Sequence, residues 1–221
     1  MHVRVNGMQV LRAEITMPPT GPWIAKFDGN GSEVITGRVV IDFGDGAMQL
    51  VGTVPAGSCE VYADRVLARA IGGAAGLQTV VGGKAYREAT AGLIIGDLLR
   101  DAGETLSDDC DQATLQTVFR YWVRLKGAVQ RELKILFDRL GVKWRVLADG
   151  TIWVGTDSWA ESALVSPDYV LTENVKQEQR VKVIADVPCV FPGETFLGQH
   201  VATVEHFLDG AKLSTMVHFD G

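Results

Sequence analysis

Hydrophobic and polar positions change their period once between Lys126 and Gly155, and each period predicts a different element. Residues 129–140 repeat apolar side chains at helical spacing, with charged residues on the other face. Gly141 follows, and glycine readily adopts the left-handed conformation that ends a helix. The pattern therefore predicts an amphipathic helix with a buried stripe formed by Val129, Leu133, Leu136, Phe137 and Leu140.

After this helix the period becomes two, which is the spacing of a β-strand. Trp144 falls on the apolar face of the first strand and Arg145 on the opposite face. The Asp149-Gly150 pair predicts a tight turn, after which residues 151–154 return as a second strand. The stretch thus predicts a helix packed against a β-hairpin.

Short alternating segments separated by glycine-rich turns fill residues 1 to about 85. The Asn-Gly pair at 6–7 predicts a hairpin turn, and residues 28–31 give a second turn signal. Residues 59–71 favour one long strand over a short helix. Short strands with frequent turns are typical of sandwiches and small barrels. No helix separates the predicted strands, which excludes a doubly wound sheet for this half.

A second amphipathic helix is predicted after Thr90, whose side chain can cap a helix N-terminus, and Gly103 marks its end. Gly92 and Gly96 lie inside it, each at a cost of roughly 1 kcal/mol relative to alanine. These glycines indicate either that a neighbouring backbone approaches closely or that the helix tolerates them as sequence variation without a structural role. The buried stripe is formed by Ala91, Ile94, Ile95, Leu98, Leu99 and Ala102.

The remaining segments predict strands around one polar loop. Residues 104–116 are polar and acidic, which predicts a loop or a short capped turn. The aromatic-rich segment 118–125 alternates and predicts a strand that leads into the helix at 129–140. Further strands are predicted at 170–173, 179–185, 200–208 and 212–219, the last two joined by a turn at Asp209-Gly210.

This order of elements predicts an α+β fold that is predominantly β, with two amphipathic helices between β regions. We divide the chain into an N-terminal β domain (1–88), a helix–strand–helix–hairpin region (89–164) and C-terminal strands (165–221) that complete a second β domain. A chain of 221 residues can bury a core as one large domain or as two small ones.

Composition narrows the class of protein further. A net charge of −6 argues against binding to nucleic acid or to an anionic membrane surface, because both depend on Lys and Arg. No apolar run approaches the roughly 18 residues of a membrane span, and residues 1–15 lack the apolar segment of a secretory signal. Cys59, Cys110 and Cys189 can form at most one pair, so we expect a soluble protein made in a reducing cytoplasm.

Candidate ligands for metal ions are few. His200, His206 and His218 lack the spacing of zinc-binding motifs and are expected to be ordinary strand residues. Three aspartates crowd residues 108–111, but the glycine and the closing glutamate of a calcium loop are missing. We expect a solvated acidic loop there.

Candidate catalytic groups are equally few. Asp149, Asp157 and Glu161 flank the predicted hairpin, and paired carboxylates can hydrolyse glycosides when their separation suits. Asp149 is already explained by the turn. The glycine-rich run 72–76 precedes no helix that could hold a phosphate, so it predicts a flexible turn. The sequence therefore assigns no catalytic, cofactor-binding or metal-binding residue and predicts a protein that is not an enzyme.

Tryptophans cluster around the helix–hairpin unit, where Trp122, Trp144, Trp153 and Trp159 lie. Such residues either pack in a core or form a protein interface. We expect Trp144 and Trp153 in the core, and both possibilities stay open for Trp159.

Three segments carry a resemblance to a known family. LGVKWRVLADGTIWVG (140–155) resembles a segment of the baseplate hub proteins of tailed bacteriophages, the group that includes the late control D protein and related spike-bearing hubs. YREATAGLIIGDLLRDAGETL (86–106) is similar to the helix that these hubs place between two β regions. Residues 192–219 are similar to the end of hub domains, with a Pro-Gly turn, a Val-x-His strand and a final hairpin.

The resemblance implies an architecture and a function. Hubs of this family carry two small β-barrel-like domains in one chain, related by a pseudo-twofold axis, and three chains form a ring of six barrels. That homotrimer adapts the sixfold tail tube to a threefold spike through interfaces alone. The implied partners are a tail tube or distal tail protein and a central spike or tail fibre protein, within the virion of a phage made in a bacterial cytoplasm.

Two other classes of function remain open from the residues alone. A β-rich module that binds a carbohydrate or a receptor would present an exposed aromatic platform. A hydrolase of unrecognised type would show a cleft that contains carboxylates with shifted pKa values.

Overall fold

Strands make up about half of the described chain and helices far less, which confirms the predicted α+β, predominantly β fold. The computed structural model describes residues 3–44, 48–164, 166, 168–185, 188 and 190–220. The Gly-Asp-Gly sequence at 44–46 predicts a further turn, but its residues 45 and 46 lie outside the described residues, as does Cys189.

The elements fall into three consecutive groups. The N-terminal group comprises β1 (Arg4–Val5), β2 (Met8–Met17), β3 (Ile24–Asn30), β4 (Gly37–Asp42), β5 (Gln49–Val54), β6 (Cys59–Tyr62) and β7 (Arg65–Gly72). The central group comprises β8 (Val80–Val81), β9 (Lys84–Thr90), α1 (Ala91–Ala102), α2 (Gln112–Leu115), β10 (Val118–Arg124), β11 (Gly127–Ala128), α3 (Val129–Leu140), β12 (Lys143–Val146) and β13 (Ile152–Gly155). The C-terminal group comprises β14 (Tyr169–Val175), β15 (Arg180–Ala185), β16 (Thr195–Phe196), β17 (Gln199–Asp209) and β18 (Lys212–Phe219).

The pairings of the N-terminal strands form a closed circuit. β1 pairs with β2 and with β4, and the order continues β4–β5–β7–β3–β2 back to β1. The turn between β1 and β2 places Asn6 and Gly7 at positive φ, as its Asn-Gly sequence predicts. Within this circuit Trp23, Phe43, Ile15, Ile41 and Leu50 are fully buried.

The two outer β groups belong to one sheet. β2 pairs antiparallel with β17 from Met17↔Val204 to Arg12↔Asp209. From β17 the sheet continues through β18 and β15 to β14, which forms its outer end. The β17–β18 hairpin turns at Gly210 and Ala211, one residue beyond the predicted Asp209-Gly210 pair, because Asp209 still pairs with Lys212.

Both predicted helices form, and their ends are where the sequence places them. The Thr90 hydroxyl accepts a hydrogen bond from the Leu93 N–H at the start of α1. Gly103 and Gly141 adopt left-handed conformations at the C-termini of α1 and α3. The two helices pack together through the predicted apolar stripes, and the β12–β13 hairpin follows α3 as expected.

The two glycines inside α1 have different environments. A Cβ at Gly92 would lie 3.2 Å from the Leu115 carbonyl oxygen, so the backbone of α2 approaches closely there. A Cβ at Gly96 would meet nothing within 4 Å. Close approach of a neighbouring backbone therefore explains Gly92, and tolerated variation explains Gly96.

Residues 59–71 form two strands, and the prediction of one long strand was wrong. Ala63 and Asp64 both have positive φ and make the turn between β6 and β7. The sequence hides this turn because alanine rarely adopts the left-handed region. In β7 the buried side chains are Val66, Ala68 and Ala70, so the arginines of the strand face solvent.

Two other local predictions also need correction. Residues 28–30 continue β3 and do not form a turn, because Gly29 pairs with Val66 and leaves room for the Met8 side chain. In β17 the register shifts between Val201 and Thr203. The strict alternation expected of a strand at 200–208 fails at this bulge. As a result, Val201 lies on the same buried face as Val204, His206 and Leu208.

Candidate functional site

A cavity of about 760 Å³ lies where the β12–β13 hairpin meets the N-terminal strands and the segment before β16. Apolar side chains form much of its wall, and one guanidinium and several carboxylates complete it. Its main apolar and aromatic lining comes from Met17, Pro18, Trp23, Trp153, Phe191 and Pro192. A concave, mostly apolar cavity of this size is the usual shape of a ligand site.

An internal ion pair occupies the polar side of the cavity. Arg145 donates to the carboxylate of Asp157, whose side chain is only 3 % exposed. The same carboxylate lies 3.0 Å from the Lys143 ammonium. The Arg145 guanidinium also lies 4.5 Å from the ring centroid of Trp153, a favourable cation–π distance. The charge of Arg145 is therefore neutralised within the chain.

Gly193 allows this ion pair to form. Its φ is +89°, and a Cβ there would collide with the Arg145 guanidinium and the Asp157 carboxylate. The backbone N–H of Gly193 donates to the Val201 carbonyl at 2.9 Å, which fixes the turn against β17. The predicted Pro-Gly turn thus closes over the pair.

Glu194 is a cavity residue whose pKa is raised. Burial raises the pKa of its carboxyl group, and a hydrogen bond from the Phe191 N–H at 2.9 Å opposes that shift. The carboxylate serves its own turn, and no nucleophile is hydrogen-bonded to it among the described residues.

The three candidate carboxylates near the hairpin have separate structural roles. Asp149 accepts from the N–H and the hydroxyl of Thr151, as a turn residue does. Asp157 belongs to the buried ion pair. Glu161 is exposed and forms an isolated β-bridge with Thr195. Of the three, only Asp149 lines the cavity.

The acidic loop forms a capped turn, which is one of the two structures predicted for residues 104–116. Asp111 caps α2 by accepting from the N–H groups of Ala113 and Thr114. A hydrogen bond from the Thr114 hydroxyl is the main cause that lowers the pKa of Asp111. Cys110 is buried beside β13, and burial raises the pKa of its thiol.

The histidines occupy three different environments. His200 stacks on Trp159 with ring centroids 4.0 Å apart, and His218 Nε2 lies 3.5 Å from Glu205. His206 is fully buried between β2 and β18, where its Nδ1 lies 2.8 Å from the Thr215 hydroxyl. Desolvation lowers the pKa of His206 to about 3. Beyond the strand alternation, no sequence pattern indicates this burial.

The glycine-rich run 72–76 is held by a carboxylate and is not the flexible turn that was expected. Glu104 accepts from the N–H groups of Ala74 and Gly76 at 2.8 and 2.9 Å. Consecutive N–H groups in such a turn form an anion-binding concavity. Here the anion is a buried side chain of the same chain.

The tryptophans divide between core and surface. Trp144 is buried against Phe137 of α3, as predicted. Trp153 is only half-buried, which corrects the prediction of a core position, because Ile152 and Val154 occupy the buried face of β13. Trp122 and Trp159 are also half-buried.

Two of the strands that end sheets, β10 and β14, carry exposed apolar side chains. Tyr121 and Val123 on β10 and Val170 on β14 are each more than 60 % exposed. The sequence predicted both strands, but it did not show that a sheet ends at each of them.

Neither a cluster of metal ligands nor a membrane-spanning helix occurs in the described ranges. Within residues 3–44, 48–164, 166, 168–185, 188 and 190–220, no three His, Cys, Asp or Glu side chains lie close enough to hold a metal ion. No helix of the same ranges is long and apolar enough to cross a membrane.

Solved structures of tail proteins share this fold. All of the chain aligns with 77 % of an E. coli protein described as a component of the type VI secretion system with structural similarity to the T4 bacteriophage tail proteins gp27 and gp5 (TM-score 0.71, 13 % identity). The 43 kDa tail protein of prophage MuSo2 from Shewanella oneidensis aligns over 98 % of this chain and 96 % of its own (TM-score 0.68, 11 % identity). A tail protein from Neisseria meningitidis MC58 aligns over 99 % and 95 % (TM-score 0.59, 12 % identity).

Sequence comparison adds no closer relative, since no protein-family model and no curated protein matches the chain. At identities of 11–13 % the likeness concerns the fold. At that level it confirms the resemblance to tail hub proteins predicted from the sequence.

Proposed function

We propose that this chain is a structural protein of a phage tail tip, a baseplate hub that forms a homotrimeric ring. The ring adapts the sixfold tail tube to a threefold spike. Its neighbours are a tail tube or distal tail protein on one side and a central spike or tail fibre protein on the other. The protein is made in the host cytoplasm and resides in the virion.

The observation that carries the proposal is the fold match over the whole chain. Three solved structures named as tail or type VI secretion proteins align with 98–100 % of the residues. A match of this extent includes both β groups, the helices and the hairpin, so it concerns the complete arrangement of elements.

The internal arrangement is consistent with the symmetry that a hub needs. Each chain contributes two β groups joined through β2 and β17. Three chains would present six such groups around a threefold axis, and a ring of six similar units can face a sixfold tube. We therefore retain the proposed division into β regions at 1–88 and 165–221 on either side of the region 89–164.

The side chains of the cavity are also consistent with a protein that functions through protein–protein interfaces and not through catalysis. Arg145 and Asp157 neutralise each other, while Glu194 and Asp149 stabilise turns. Catalysis by a nucleophile needs that group within hydrogen-bond reach of a base, with the base held by a third group. The cavity groups described above serve the fold, and we propose that the protein is not an enzyme.

The direct test is the mass of the purified chain in solution, followed by electron microscopy of the same material. A homotrimer of about 72 kDa, three times the 23.9 kDa of one chain, is expected to appear as a ring with a central channel. Co-production with the tube and spike proteins of the same phage should incorporate the chain between them. A chain that joins neither protein would refute the hub function.

One observation favours a second function, a module that binds a carbohydrate. Trp153 and Phe191 line the cavity beside the polar groups of Arg145 and Glu194, and aromatic faces with nearby polar groups suit sugar rings. A glycan array probed with the chain and with a Trp153→Ala variant separates the two functions. Binding that depends on Trp153 would support the module, whereas the hub proposal expects none.

A further inference from the structure

The cavity beside the β12–β13 hairpin carries negative charge that its own chain does not neutralise. Four carboxylates line it, and they belong to Asp109, Asp111, Asp149 and Glu194. Among the described residues none of these four forms a salt bridge. The acidic groups lie on three separate segments, so they surround the cavity and do not form one loop.

The cationic residue of the lining does not offset this charge. Arg145 pairs with the carboxylate of Asp157, which Lys143 also contacts at 3.0 Å. Lys143 in turn lies 3.9 Å from the carboxylate of Asp220. These two cations and two anions sum to zero, so the charge of the four lining carboxylates remains.

Hydrogen bonds hold three of these carboxylates in fixed positions. Asp111 and Asp149 accept from the N–H groups of their own turns, and Glu194 accepts from the Phe191 N–H. An ionised carboxylate has about four acceptor positions, so each can accept a further hydrogen bond from a ligand. Because the carboxylates are already held, binding a cation would cost little ordering of the site.

The rest of the wall selects the other part of the ligand. Met17, Phe191, Pro192 and Trp153 give the cavity a largely apolar surface. An anionic ligand would be repelled, and a purely apolar one would desolvate the carboxylates without pairing them. A cationic head on an apolar stem meets both requirements, and lysine and arginine side chains have this form.

The size of the cavity indicates that more than one side chain can enter. Its volume of about 760 Å³ lies within the range of sites for drug-sized molecules, which are as large as a short peptide. Arginine is also among the residues that most often anchor protein interfaces, where it fills well-packed pockets. A short protein segment therefore suits the cavity better than a single cationic group.

We propose that this cavity binds a lysine or arginine side chain of a partner protein, together with the apolar residues next to it in sequence. The choice of a protein as the partner rests on the proposed function, whereas the preference for a cation rests on the cavity alone. The inference adds a recognition site to the hub and does not depend on the number of copies in the ring.

The tryptophans of the chain provide a direct reporter. Trp23 and Trp153 line the cavity, whereas Trp122, Trp144 and Trp159 do not. Nuclear magnetic resonance of the ¹⁵N-labelled full chain gives one indole N–H signal for each tryptophan. The probe is the tripeptide Leu-Arg-Leu with acetylated and amidated ends, and the same peptide with glutamine or glutamate at its centre serves as control.

The arginine peptide should shift the indole signals of Trp23 and Trp153 in a saturable manner and leave the other three unchanged. The glutamine peptide should bind at least about tenfold more weakly, and the glutamate peptide should not bind. Equal affinity for the arginine and glutamine peptides would overturn the proposal. Equal shifts of all five signals, or no shift at the highest soluble concentration, would also overturn it.

Two neighbouring aspartates provide a matched pair of variants. Asp108 and Asp109 are both exposed, but only Asp109 lines the cavity. At about 150 mM salt, where exposed charges act over short distances, Asp109→Asn should raise the dissociation constant of the arginine peptide about threefold. Asp108→Asn should leave it unchanged, and equal effects of the two variants would contradict a site in the cavity.

Glu194→Gln tests a half-buried carboxylate of the lining. Glutamine retains an acceptor for the Phe191 N–H, so the turn is preserved while the charge is removed. The dissociation constant should rise about tenfold, because hydrogen bonds to charged groups are stronger away from water. Thermal melting checks that each variant is folded, and a folded Glu194→Gln chain with unchanged affinity would exclude Glu194 from the site and overturn the proposal.

The outcomes separate this inference from the proposed function. A neutral glycan that shifts Trp153 equally well in the Glu194→Gln chain, while the arginine peptide does not bind, would assign the cavity to a carbohydrate and overturn the inference. Failure of peptide binding leaves the hub function to be decided by the mass in solution and by co-production. A chain that binds the arginine peptide but joins no tail protein would refute the hub function and retain the cation site.

Discussion

The two β groups of this chain share one sheet but end it differently. In the N-terminal group β1 pairs on both sides, so β1, β2, β3, β4, β5 and β7 form a closed circuit. In the C-terminal group the sheet runs outward from β17 and stops at the exposed strand β14. A closed circuit satisfies its backbone groups internally, whereas an open end leaves them for another chain. Stability should therefore concentrate in the first group and assembly in the second.

The largest expected effect comes from Trp23, a buried residue that packs against strands of the closed group. Its ring is 1 % exposed and fits against two strands that carry glycine, because a Cβ at Gly52 or Gly72 would lie 2.6 Å from it. Trp23→Ala should lower the free energy of unfolding by about 4 kcal/mol through loss of burial and creation of a cavity. Urea denaturation followed by circular dichroism measures this change.

Trp159→Ala is the matched control, because Trp159 is half-buried in the region that leads to the C-terminal group. Its removal takes away the stacking on His200 and should cost about 1 kcal/mol. Equal losses in the two variants would contradict the view that stability concentrates in the closed group.

His206, which lies at the junction of the two groups, should make stability depend on pH. Its pKa is about 3 in the folded chain and near 6.5 when unfolded, so folding favours the neutral imidazole. The contribution is constant above pH 6.5 and declines as pH falls from 6.5 towards 3, because the unfolded chain then binds the proton more readily. At pH 5 the free energy of unfolding should be lower by about 2 kcal/mol than at pH 7.

Urea denaturation at pH 7, 6 and 5 measures this slope. His206→Asn retains a polar partner for Thr215 but has no titrating ring, so its stability should change less over the same range. The other histidines and the carboxylates titrate in both proteins, and the difference between the two slopes isolates His206. Parallel slopes would refute the assignment.

The Arg145–Asp157 pair gives a further test in the C-terminal half. Gly193 and Gly198 both have positive φ, but a Cβ at Gly193 would collide with the ion pair, whereas one at Gly198 would meet nothing within 4 Å. Gly198→Ala should cost about 1 kcal/mol for the backbone conformation alone. Gly193→Ala should cost about 2 kcal/mol more, because Arg145 must leave a buried carboxylate. Similar losses in both variants would show that the ion pair adjusts freely.

Local patterns predicted the elements well where the relevant interactions lie within a few residues. Thr90, Gly103 and Gly141 end their helices as the sequence indicates, because capping depends on the residue itself and its immediate neighbours. The Asn-Gly turn at 6–7 follows the same logic. The fold class and the resemblance to tail hubs followed from such patterns combined along the chain.

Long-range contacts account for what the sequence did not reveal. Glu104 reaches back to the turn at 72–76, and nothing near Glu104 in sequence indicates that contact. The burial of His206 depends on β2 and β18 packing around it. The exposure of β14 depends on its place at the end of the sheet, which is a property of topology. In the candidate site, the Arg145–Asp157 pair joins residues that the sequence placed on separate elements.

The smallest expected effect is at the open end of the sheet. Two valines, one in each β group, test the comparison between the closed and the open group. Val39 on β4 is fully buried, and Val170 on β14 is 61 % exposed. Val39→Ala should lower the free energy of unfolding by about 2 kcal/mol, because two buried methyl groups are removed. Val170→Ala should change it by less than about 0.5 kcal/mol, because its side chain is exposed. A loss for Val170→Ala as large as that for Val39→Ala would mean that β14 is packed within its own chain.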